Sequence, residues 1–297
     1  MNTRFRSYCI GIFWFLLSGM SSSINDIISK YIGMRLHSYE ITFFRFMFGT
    51  LTLLPFIPYY GYATLKTSRP IIHFFRGLLL FFGIAGWTYG LTLVPVTTVT
   101  VVSFTVPIFV LILGVFFLKE RILWQRWFVT IVACAGLVIT LEPTAQDFNP
   151  EVLVLLSATI AFAALDIINK KFIIKETMIS MLFYSALITA LLALPFAIKE
   201  WVQPNTLELG LLFLLGASAN LILFFLLKAF AATDATALAP YRYFELVVSA
   251  IIAYLVFQEI PKDATILGSC IIIPATLFVI YSEKKEFAKG KKSTSTT

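Results

Sequence analysis

Charged residues are scarce in this chain. Asp, Glu, Lys and Arg make up 13% of its 297 residues, about half of the ~25% found in a typical soluble domain. Hydrophobic residues reach 59%, and the stretch from Gly77 to Leu118 contains no charged side chain. This composition argues against a water-soluble protein. Because lipid offers no hydrogen-bonding partner to the backbone, long apolar runs without polar alternation predict membrane-spanning helices rather than a barrel.

Cysteine and histidine are also rare. Cys9, Cys134 and Cys270 lie in three separate apolar segments, which is typical of small core residues and not of a disulfide framework. His37 and His73 occupy loop positions too far apart in sequence to indicate a metal site. The chain has no Gly-rich phosphate loop, no paired metal-ligating histidines and no nucleophile elbow. We therefore expect no enzyme activity, no cofactor, no metal and no ATPase subunit.

The basic residues indicate orientation rather than nucleic-acid binding. The formal net charge is +7, but Lys and Arg gather at the ends of apolar segments, where they mark the cytoplasmic side of a membrane protein. With both termini inside, the inner segments hold 17 of these residues and the outer loops hold 4. Both termini are therefore predicted to be cytoplasmic.

Ten apolar segments are long enough to cross the hydrocarbon core, which takes about 20 helical residues. The sequence thus predicts an all-α polytopic membrane protein with ten transmembrane helices and short loops. The predicted spans are Tyr8 to Ser29, Glu40 to Tyr59, Phe74 to Leu93, Val96 to Leu118, Gln125 to Leu141, Val152 to Lys170, Met178 to Ile198, Leu209 to Lys228, Ala235 to Gln258 and Ala264 to Ser282.

The two halves of the chain repeat. Asp26-Ile27-Ile28-Ser29-Lys30 matches Asp166-Ile167-Ile168-Asn169-Lys170 at an offset of 140, and Pro55-Phe56 matches Pro195-Phe196 at the same offset. Because each half has five spans, an odd number, the second must enter the membrane upside down relative to the first. Residues 1–147 and 148–283 are predicted to be inverted five-helix repeats, followed by a basic, disordered cytoplasmic tail at 284–297. Secondary transporters often use this plan, with substrate near the midplane between the halves.

Several short motifs resemble a known family of such carriers. They are Tyr89-Gly90-Leu91, Pro95 to Thr98, Pro107 and Phe117-Leu118-Lys119-Glu120. These motifs are similar to those of the drug/metabolite transporter superfamily, specifically its EamA family, and the resemblance covers nearly the whole chain. It implies ten helices in two inverted repeats, and a multi-pass protein of a bacterial inner membrane.

A second group of motifs narrows the resemblance to family members that take up S-adenosylmethionine. The motifs are Trp87 to Leu91, Pro95 to Thr98, Leu165 to Lys171 with Lys175-Glu176, Met181 to Ala186, and Ala239 to Tyr243. The resemblance implies import of S-adenosylmethionine by alternating access, with exchange for S-adenosylhomocysteine as a further hypothesis. The alternative is a carrier or exporter of another small metabolite, such as an amino acid, a nucleotide sugar or a drug.

Charges inside spans are candidate site residues because they are expensive in lipid. The ninth predicted span carries four candidates close together: Tyr241, Arg242, Tyr243 and Glu245. S-adenosylmethionine has a sulfonium, an ammonium, a carboxylate and an adenine ring. We predict that Glu245 faces the sulfonium or ammonium and that Arg242 faces the carboxylate. The alternative is that these two residues, three apart on a helix, neutralise one another.

Two acid–base pairs are candidates for gates. Asp26 precedes Lys30, and Asp166 precedes Lys170, by one helical turn, which is the favourable order for an ion pair. The predicted topology places the first pair near the outer surface and the second near the inner one. We interpret them as gating pairs that form and break as access alternates. Static helix-end pairs with snorkelling lysines are the alternative.

Other polar and aromatic residues are candidates for lining the pathway. In the first span a polar stripe recurs every three or four residues and predicts a face toward a pore or a partner helix; it consists of Ser18, Ser22, Asn25 and Ser29. Trp87 and Trp14 either stack on the adenine or anchor at the membrane interface. Arg45, a quarter of the way into the second span, either snorkels outward or contacts substrate, and the sequence does not decide between these roles.

Overall fold

The computed structural model describes residues 3–93, 102–120, 122–141 and 152–243, and positions 270, 271, 274, 275, 277, 278 and 280–282. Within these residues every regular element is helical, as the sequence predicts. Five of the helices are long and apolar enough to cross a membrane, and Val106–Leu118 is an apolar but shorter one. Glu245, the predicted break near Pro95 and the tail at 284–297 lie outside the described residues.

The described positions between 270 and 282 are helical, and ten α-helices follow one another between residues 3 and 243 of the described chain. They are α1 Thr3–Gly33, α2 Ser38–Leu53, α3 Phe56–Tyr60, α4 Pro70–Leu93, α5 Val106–Leu113, α6 Trp124–Leu141, α7 Val152–Phe172, α8 Met178–Lys199, α9 Thr206–Ala232 and α10 Ala235–Leu238. Short 3₁₀ turns occupy Tyr62–Leu65 and Ala239–Tyr243, and a π-helical turn at Gly114–Leu118 continues α5.

Polar side chains fix the starts of two long helices in the second half. At the start of α9, Asn205 Oδ1 accepts from the Glu208 backbone N–H at 2.9 Å, and Glu208 Oε2 accepts from the Asn205 backbone N–H at 2.7 Å. At the start of α8, Thr177 Oγ1 accepts from the Ser180 backbone N–H at 3.1 Å. These bonds satisfy N–H groups that the first helical turn leaves without partners.

The predicted second span, Glu40 to Tyr59, is wrong as a single helix. It divides into α2 and α3 at Pro55, where the Leu54 and Ile57 backbone N–H groups bond three residues back, to Leu51 and Leu54, instead of four. Pro55 has no N–H to donate, so the helical ladder is interrupted there. The matching proline of the second half, Pro195, lies inside the unbroken helix α8.

The predicted ninth span also begins differently from a continuous helix. After the four residues of α10, the chain turns into a 3₁₀ segment that contains Pro240, Tyr241, Arg242 and Tyr243. Residues 244–269, which include most of that span, lie outside the described part of the chain.

The long helices pack in a pattern that treats the two halves alike. Helix α1 packs on α9 and α4 on α7; α2 packs on α8 and α9, and α4 packs on α8. Exchanging α1 with α7, α2 with α8 and α4 with α9 turns each of these contacts into another of the set.

Glycines mark two matching close approaches in this packing. A Cβ added at Gly216 of α9 would lie 2.6 Å from the Arg45 carbonyl oxygen and 2.7 Å from Phe48 Cβ of α2. A Cβ added at Gly77 of α4 would lie 2.5 Å from Ile188 Cγ2 of α8. Gly77 matches Gly216 at an offset of 139, and Phe48 matches Ile188 at an offset of 140. Small residues let helix backbones approach closely inside a membrane.

Candidate functional site

The two matching acids lie inside their helices. Asp26 is seven residues before the end of α1 at Gly33, and Asp166 is six residues before the end of α7 at Phe172. At 1.5 Å per residue, each acid therefore sits about 10 Å inside the end of its helix. We call the surroundings of Asp26 the first acid site and those of Asp166 the second acid site.

The second acid site contains a direct ion pair with Arg242. One guanidinium nitrogen, Nη2, donates to Asp166 Oδ2 at 2.9 Å, and the side chains are 24% and 7% exposed for Arg242 and Asp166. The Arg242 guanidinium also lies over the ring of Phe15 in α1, 5.8 Å from its centroid. The pair thus connects α7 to the segment after α10, and the contact of Arg242 with Phe15 connects this segment to the first half of the chain.

In this structure Asp166 pairs with Arg242 and not with Lys170, the partner predicted from the sequence. Lys170 Nζ instead donates to the carbonyl oxygens of Phe230 and Thr233, at 2.8 Å and 2.6 Å, and lies 4.0 Å from Asp234 Oδ1. These carbonyls belong to the C-terminal end of α9, where unpaired backbone oxygens and the helix dipole favour a cation. A role for Asp166 and Lys170 in gating stays a prediction.

We call the first acid site open in the sense that no direct ion pair joins its acid to its arginine. Arg45 of α2 attracts the Asp26 carboxylate, and the Trp87 indole of α4 lies close enough to interact with it. Among the described side chains, which leave out that of Lys30, Asp26 makes no direct ion pair. Arg45 is 8% exposed, and its Nε atom has no hydrogen-bond partner in the described structure. The predicted Asp26–Lys30 pair stays a prediction.

The two predicted site tyrosines are buried and hydrogen-bonded. The Tyr241 hydroxyl lies 2.7 Å from the Tyr8 hydroxyl. The Tyr243 hydroxyl donates to the Phe104 carbonyl oxygen at 3.1 Å, and the two rings stack at 5.2 Å with a 12° tilt. Both tyrosines therefore hold the segment that carries Arg242, and their contact with substrate stays a prediction.

The polar stripe of α1 faces α9 at two of its four positions. Ser18 Oγ donates to the Ile222 carbonyl oxygen at 2.9 Å, and the buried Asn25 amide donates to Ser218 Oγ and the Leu215 carbonyl oxygen. The Asn25 Oδ1 atom has no partner within the described residues. Ser18 and Asn25 therefore contact the partner helix, and contact of Asn25 with substrate stays a prediction.

The remaining predicted ligands are half-buried. Ser22 lies on α1 between Ser18 and Asn25. Trp14 stacks on Phe225 of α9, with ring centroids 5.6 Å apart. Trp87 instead packs edge-on against Phe162 of α7, at 6.2 Å, in addition to its approach to Asp26. The structure thus brings Trp87 to an acid site and places Trp14 against α9.

A buried polar cluster was missed by the sequence analysis. His73, assigned there to a loop, lies in the first turn of α4, and its Nε2 is 3.5 Å from Glu176 Oε2. Arg76, fully buried, donates from Nε to Asn169 Oδ1 at 2.8 Å and lies 3.2 Å from His73 Nδ1. Thr67 Oγ1 donates to Glu176 at 3.0 Å. The cluster ties the start of α4 to the end of α7.

A matching polar tie connects the C-terminal end of α1 to the N-terminal end of α9. Arg35, just after α1, donates from Nε to Glu208 Oε1 at 2.6 Å and from Nη2 to the Gln203 carbonyl oxygen at 3.0 Å. Hydrogen bonding to Glu208 raises the pKa of Arg35 above its ordinary value. A cavity of about 330 Å³ opens beside this tie; residues that line it include Gly33, Arg35, His37, Ser38, Tyr89 and Glu200. We call it the mouth cavity.

No group of three or more His, Cys, Asp or Glu side chains that could hold a metal occurs within the part of the chain that the structure describes. Each acid site contains one carboxylate and one guanidinium, with an aromatic ring beside them. Such groups can recognise the opposite charges of a polar solute.

The chain is similar to known transporters over nearly its whole length. The model of the EamA-like transporter family matches residues 9–142 and 149–281. The chain is 63% identical to the S-adenosylmethionine uptake transporter of Rickettsia bellii, over 97% of this chain and 99% of that protein. It is 61% identical to the S-adenosylmethionine uptake transporter of Rickettsia prowazekii, over 99% and 100%. A crystal structure of a protein 17% identical superposes with a TM-score of 0.75, covering 91% of this chain and 95% of that chain, so the fold is shared.

Proposed function

The chain belongs to the EamA-like transporter family, and we propose that it imports S-adenosylmethionine across a bacterial inner membrane by alternating access. It is a multi-pass membrane transporter and not an enzyme. The observation that carries the substrate assignment is the end-to-end similarity to the two Rickettsia uptake transporters. Import in exchange for S-adenosylhomocysteine is part of the proposal, because a product that accumulates inside supplies an outward gradient.

The proposed architecture has ten spans in two inverted repeats with both termini in the cytoplasm. Two observations support it. The helix contacts are unchanged when the halves are exchanged, and the glycine contacts at Gly77 and Gly216 match at the offset of the sequence repeat. Inverted repeats place a substrate between the halves near the midplane.

The proposed substrate contacts include Arg242, Tyr241, Tyr243, Glu245, Trp87, Trp14, Ser22 and Asn25. Support is best for Arg242, whose guanidinium lies against Phe15, the thirteenth residue of the 31-residue helix α1. It is thus placed well inside the protein, where residues of both halves meet. In this proposal the Asp166–Arg242 pair closes one end of the pathway, and opening it frees Arg242 for the substrate carboxylate.

Uptake of labelled S-adenosylmethionine into liposomes tests the proposal. We expect the purified protein to give uptake well above that of protein-free liposomes, and preloading with S-adenosylhomocysteine to accelerate it. The Glu245→Gln variant, inserted to the same level, should lose uptake because the substrate cation loses its acid. Liposomes that neither bind nor take up S-adenosylmethionine would show that the substrate is another small metabolite.

A further inference from the structure

We propose that Asp26, Arg45 and Trp87 form the entry site for the amino-acid headgroup of the substrate. The carboxylate binds Arg45, the ammonium binds Asp26, and the Trp87 ring lies against the sulfonium. The inference rests on the proposed import of S-adenosylmethionine, and it assigns the headgroup on entry to residues of the first half of the chain. The contacts with Arg242 and Glu245 proposed above follow when the second acid site opens.

The unused N–H of Arg45 is the first observation behind this assignment. The side chain is 92% buried, yet Nε has no hydrogen-bond partner in the described residues. A buried donor without an acceptor is costly, and a buried charge without a partner is more so. A carboxylate that binds Arg45 through two parallel hydrogen bonds satisfies Nε and the charge together. Arg45 therefore keeps an unused buried donor that a carboxylate can bind.

The spacing of acid and base is the second observation. Asp26 and Arg45 attract one another without a direct ion pair. At the second acid site, by contrast, Asp166 and Arg242 are in contact at 2.9 Å. An α-amino acid headgroup carries an ammonium and a carboxylate on one carbon, so it fits between an acid and an arginine that stand apart. Because the pair and the headgroup are each neutral, binding leaves no buried charge uncompensated.

The position of the three residues is the third observation. Asp26 is seven residues before the end of α1, and Arg45 is seven residues after the start of α2. Both therefore lie about 10 Å below the adjoining ends of these two helices, and Trp87 of α4 interacts with Asp26 at that depth. The mouth cavity opens at those ends, where Gly33, Ser38 and Tyr89 line it. Trp87 also supplies an aromatic face, to which an onium cation is attracted.

Competition between substrate analogues tests the site. Uptake of labelled S-adenosylmethionine is measured in proteoliposomes against three unlabelled competitors: S-adenosylmethionine itself, its decarboxylated analogue and its deaminated analogue. For the wild type we expect each analogue to inhibit at least tenfold more weakly than S-adenosylmethionine. We call each of these two differences in inhibition a gap. The gap to the decarboxylated analogue measures how strongly the carboxylate is recognised, and the gap to the deaminated analogue measures how strongly the ammonium is recognised.

Each variant is expected to close one gap. With Asp26→Asn, S-adenosylmethionine should inhibit no better than the deaminated analogue, while the gap to the decarboxylated analogue persists. Arg45→Gln should do the reverse. Arg45→Lys should keep the gap to the deaminated analogue and only part of the gap to the decarboxylated one, because it keeps the charge but loses the two parallel hydrogen bonds. The double variant Asp26→Asn with Arg45→Gln leaves no lone buried charge, so it serves if a single variant fails to insert; it should close both gaps. Asp234→Asn, an exposed acid of the other half, should keep both gaps.

The outcomes separate this inference from the proposed function. A wild type without S-adenosylmethionine uptake overturns the proposed function. A wild type that imports it, with variants that transport more slowly but keep both gaps, overturns the entry site alone and favours a gating role for Asp26.

Discussion

The first and second acid sites occupy matching positions in the two halves but differ in their bases. At the second site Arg242 contacts Asp166 directly. At the first site Arg45 stands apart from Asp26 and has an unused N–H. Both halves therefore have the acid, but its ion pair with an arginine is formed at the second site, which we call closed, and is not formed at the first. An ion pair that is formed in one half and not in the other is the kind of difference that the proposed alternating access would produce.

The amino-acid sequence explains why the two acid sites have different arginines. In the α1–α2 hairpin, Asp26 and Arg45 are equally far from the intervening turn, so they lie at the same depth. At the repeat offset of 140, the α7–α8 hairpin has Asp166 in place of Asp26 and Ser185 in place of Arg45. Arg242 is in turn matched by Ser103 in the first half. Each arginine thus has a serine as its counterpart, and the second acid takes its base from a distant segment instead of its own hairpin.

The largest expected effect is a difference in coupling energy between the two acid–arginine pairs. A double-mutant cycle on Asp166→Asn and Arg242→Gln should give a coupling of about 3 kcal/mol, because a direct, mostly buried pair is broken. The cycle on Asp26→Asn and Arg45→Gln should give about 1 kcal/mol or less without substrate, because no direct contact is lost. The free energy of unfolding in mixed micelles measures both. Equal couplings would contradict the contrast between a closed and an open site.

The substitution Gly216→Ala should displace helix α2 and disturb the first acid site but not the second. In Gly216→Ala the new methyl group meets the Arg45 carbonyl oxygen, Gly49 N and Phe48 Cβ, all within 2.7 Å. Helix α2 must move and carry Arg45 with it, at a cost of about 2 kcal/mol. Gly77→Ala is the matched control, because its methyl group meets Ile188 in α8, which carries no arginine. We expect both variants to lower the melting temperature, and only Gly216→Ala to weaken discrimination against the decarboxylated analogue.

Much of this contrast could be anticipated from sequence, because apolar runs fix the helices and the repeat fixes the two acids. The depth match of Asp26 and Arg45 was also present in the sequence, as equal distances from one turn. The partner of Asp166 was not. The i,i+4 spacing on a helix favours an ion pair of Asp166 with Lys170. In the folded protein Asp166 instead pairs with Arg242, which is 76 residues later in the chain.

Proline gives a second example of a local signal with two outcomes. Pro55-Phe56 and Pro195-Phe196 are identical pairs, yet the helix breaks at the first and continues through the second. The first pair is followed by Pro58 and Gly61, and Gly61 adopts a positive φ of 87° that favours glycine. Ala197 and Ile198 follow the second pair. The residues after the motif therefore decide where the helix ends: at Tyr60 after the first pair and at Lys199, only three residues on, after the second.

Removing Lys170 tests whether the second site depends on its neighbouring lysine. Lys170→Met should cost about 1.5 kcal/mol, because two carbonyl oxygens at the end of α9 lose a charged donor. Combined with Asp166→Asn, its effect should add to within about 0.5 kcal/mol, since the two side chains do not share a partner. Unfolding free energies of the two single variants and the double variant measure this. A coupling of 1 kcal/mol or more would restore the Asp166–Lys170 pair that the sequence suggested.

The smallest effect should come from the indole N–H of Trp87, and it bears on how open the first site is. Trp87→Phe removes the group that approaches the Asp26 carboxylate but keeps an aromatic ring. Trp14→Phe is the matched control, because Trp14 stacks on Phe225 and loses a similar ring volume. We expect Trp87→Phe to cost about 0.5–1 kcal/mol more than Trp14→Phe in unfolding free energy, since a donor to a buried carboxylate is lost. If the two variants cost the same, Trp87 does not hold Asp26, and the acid must be positioned by Arg45 alone.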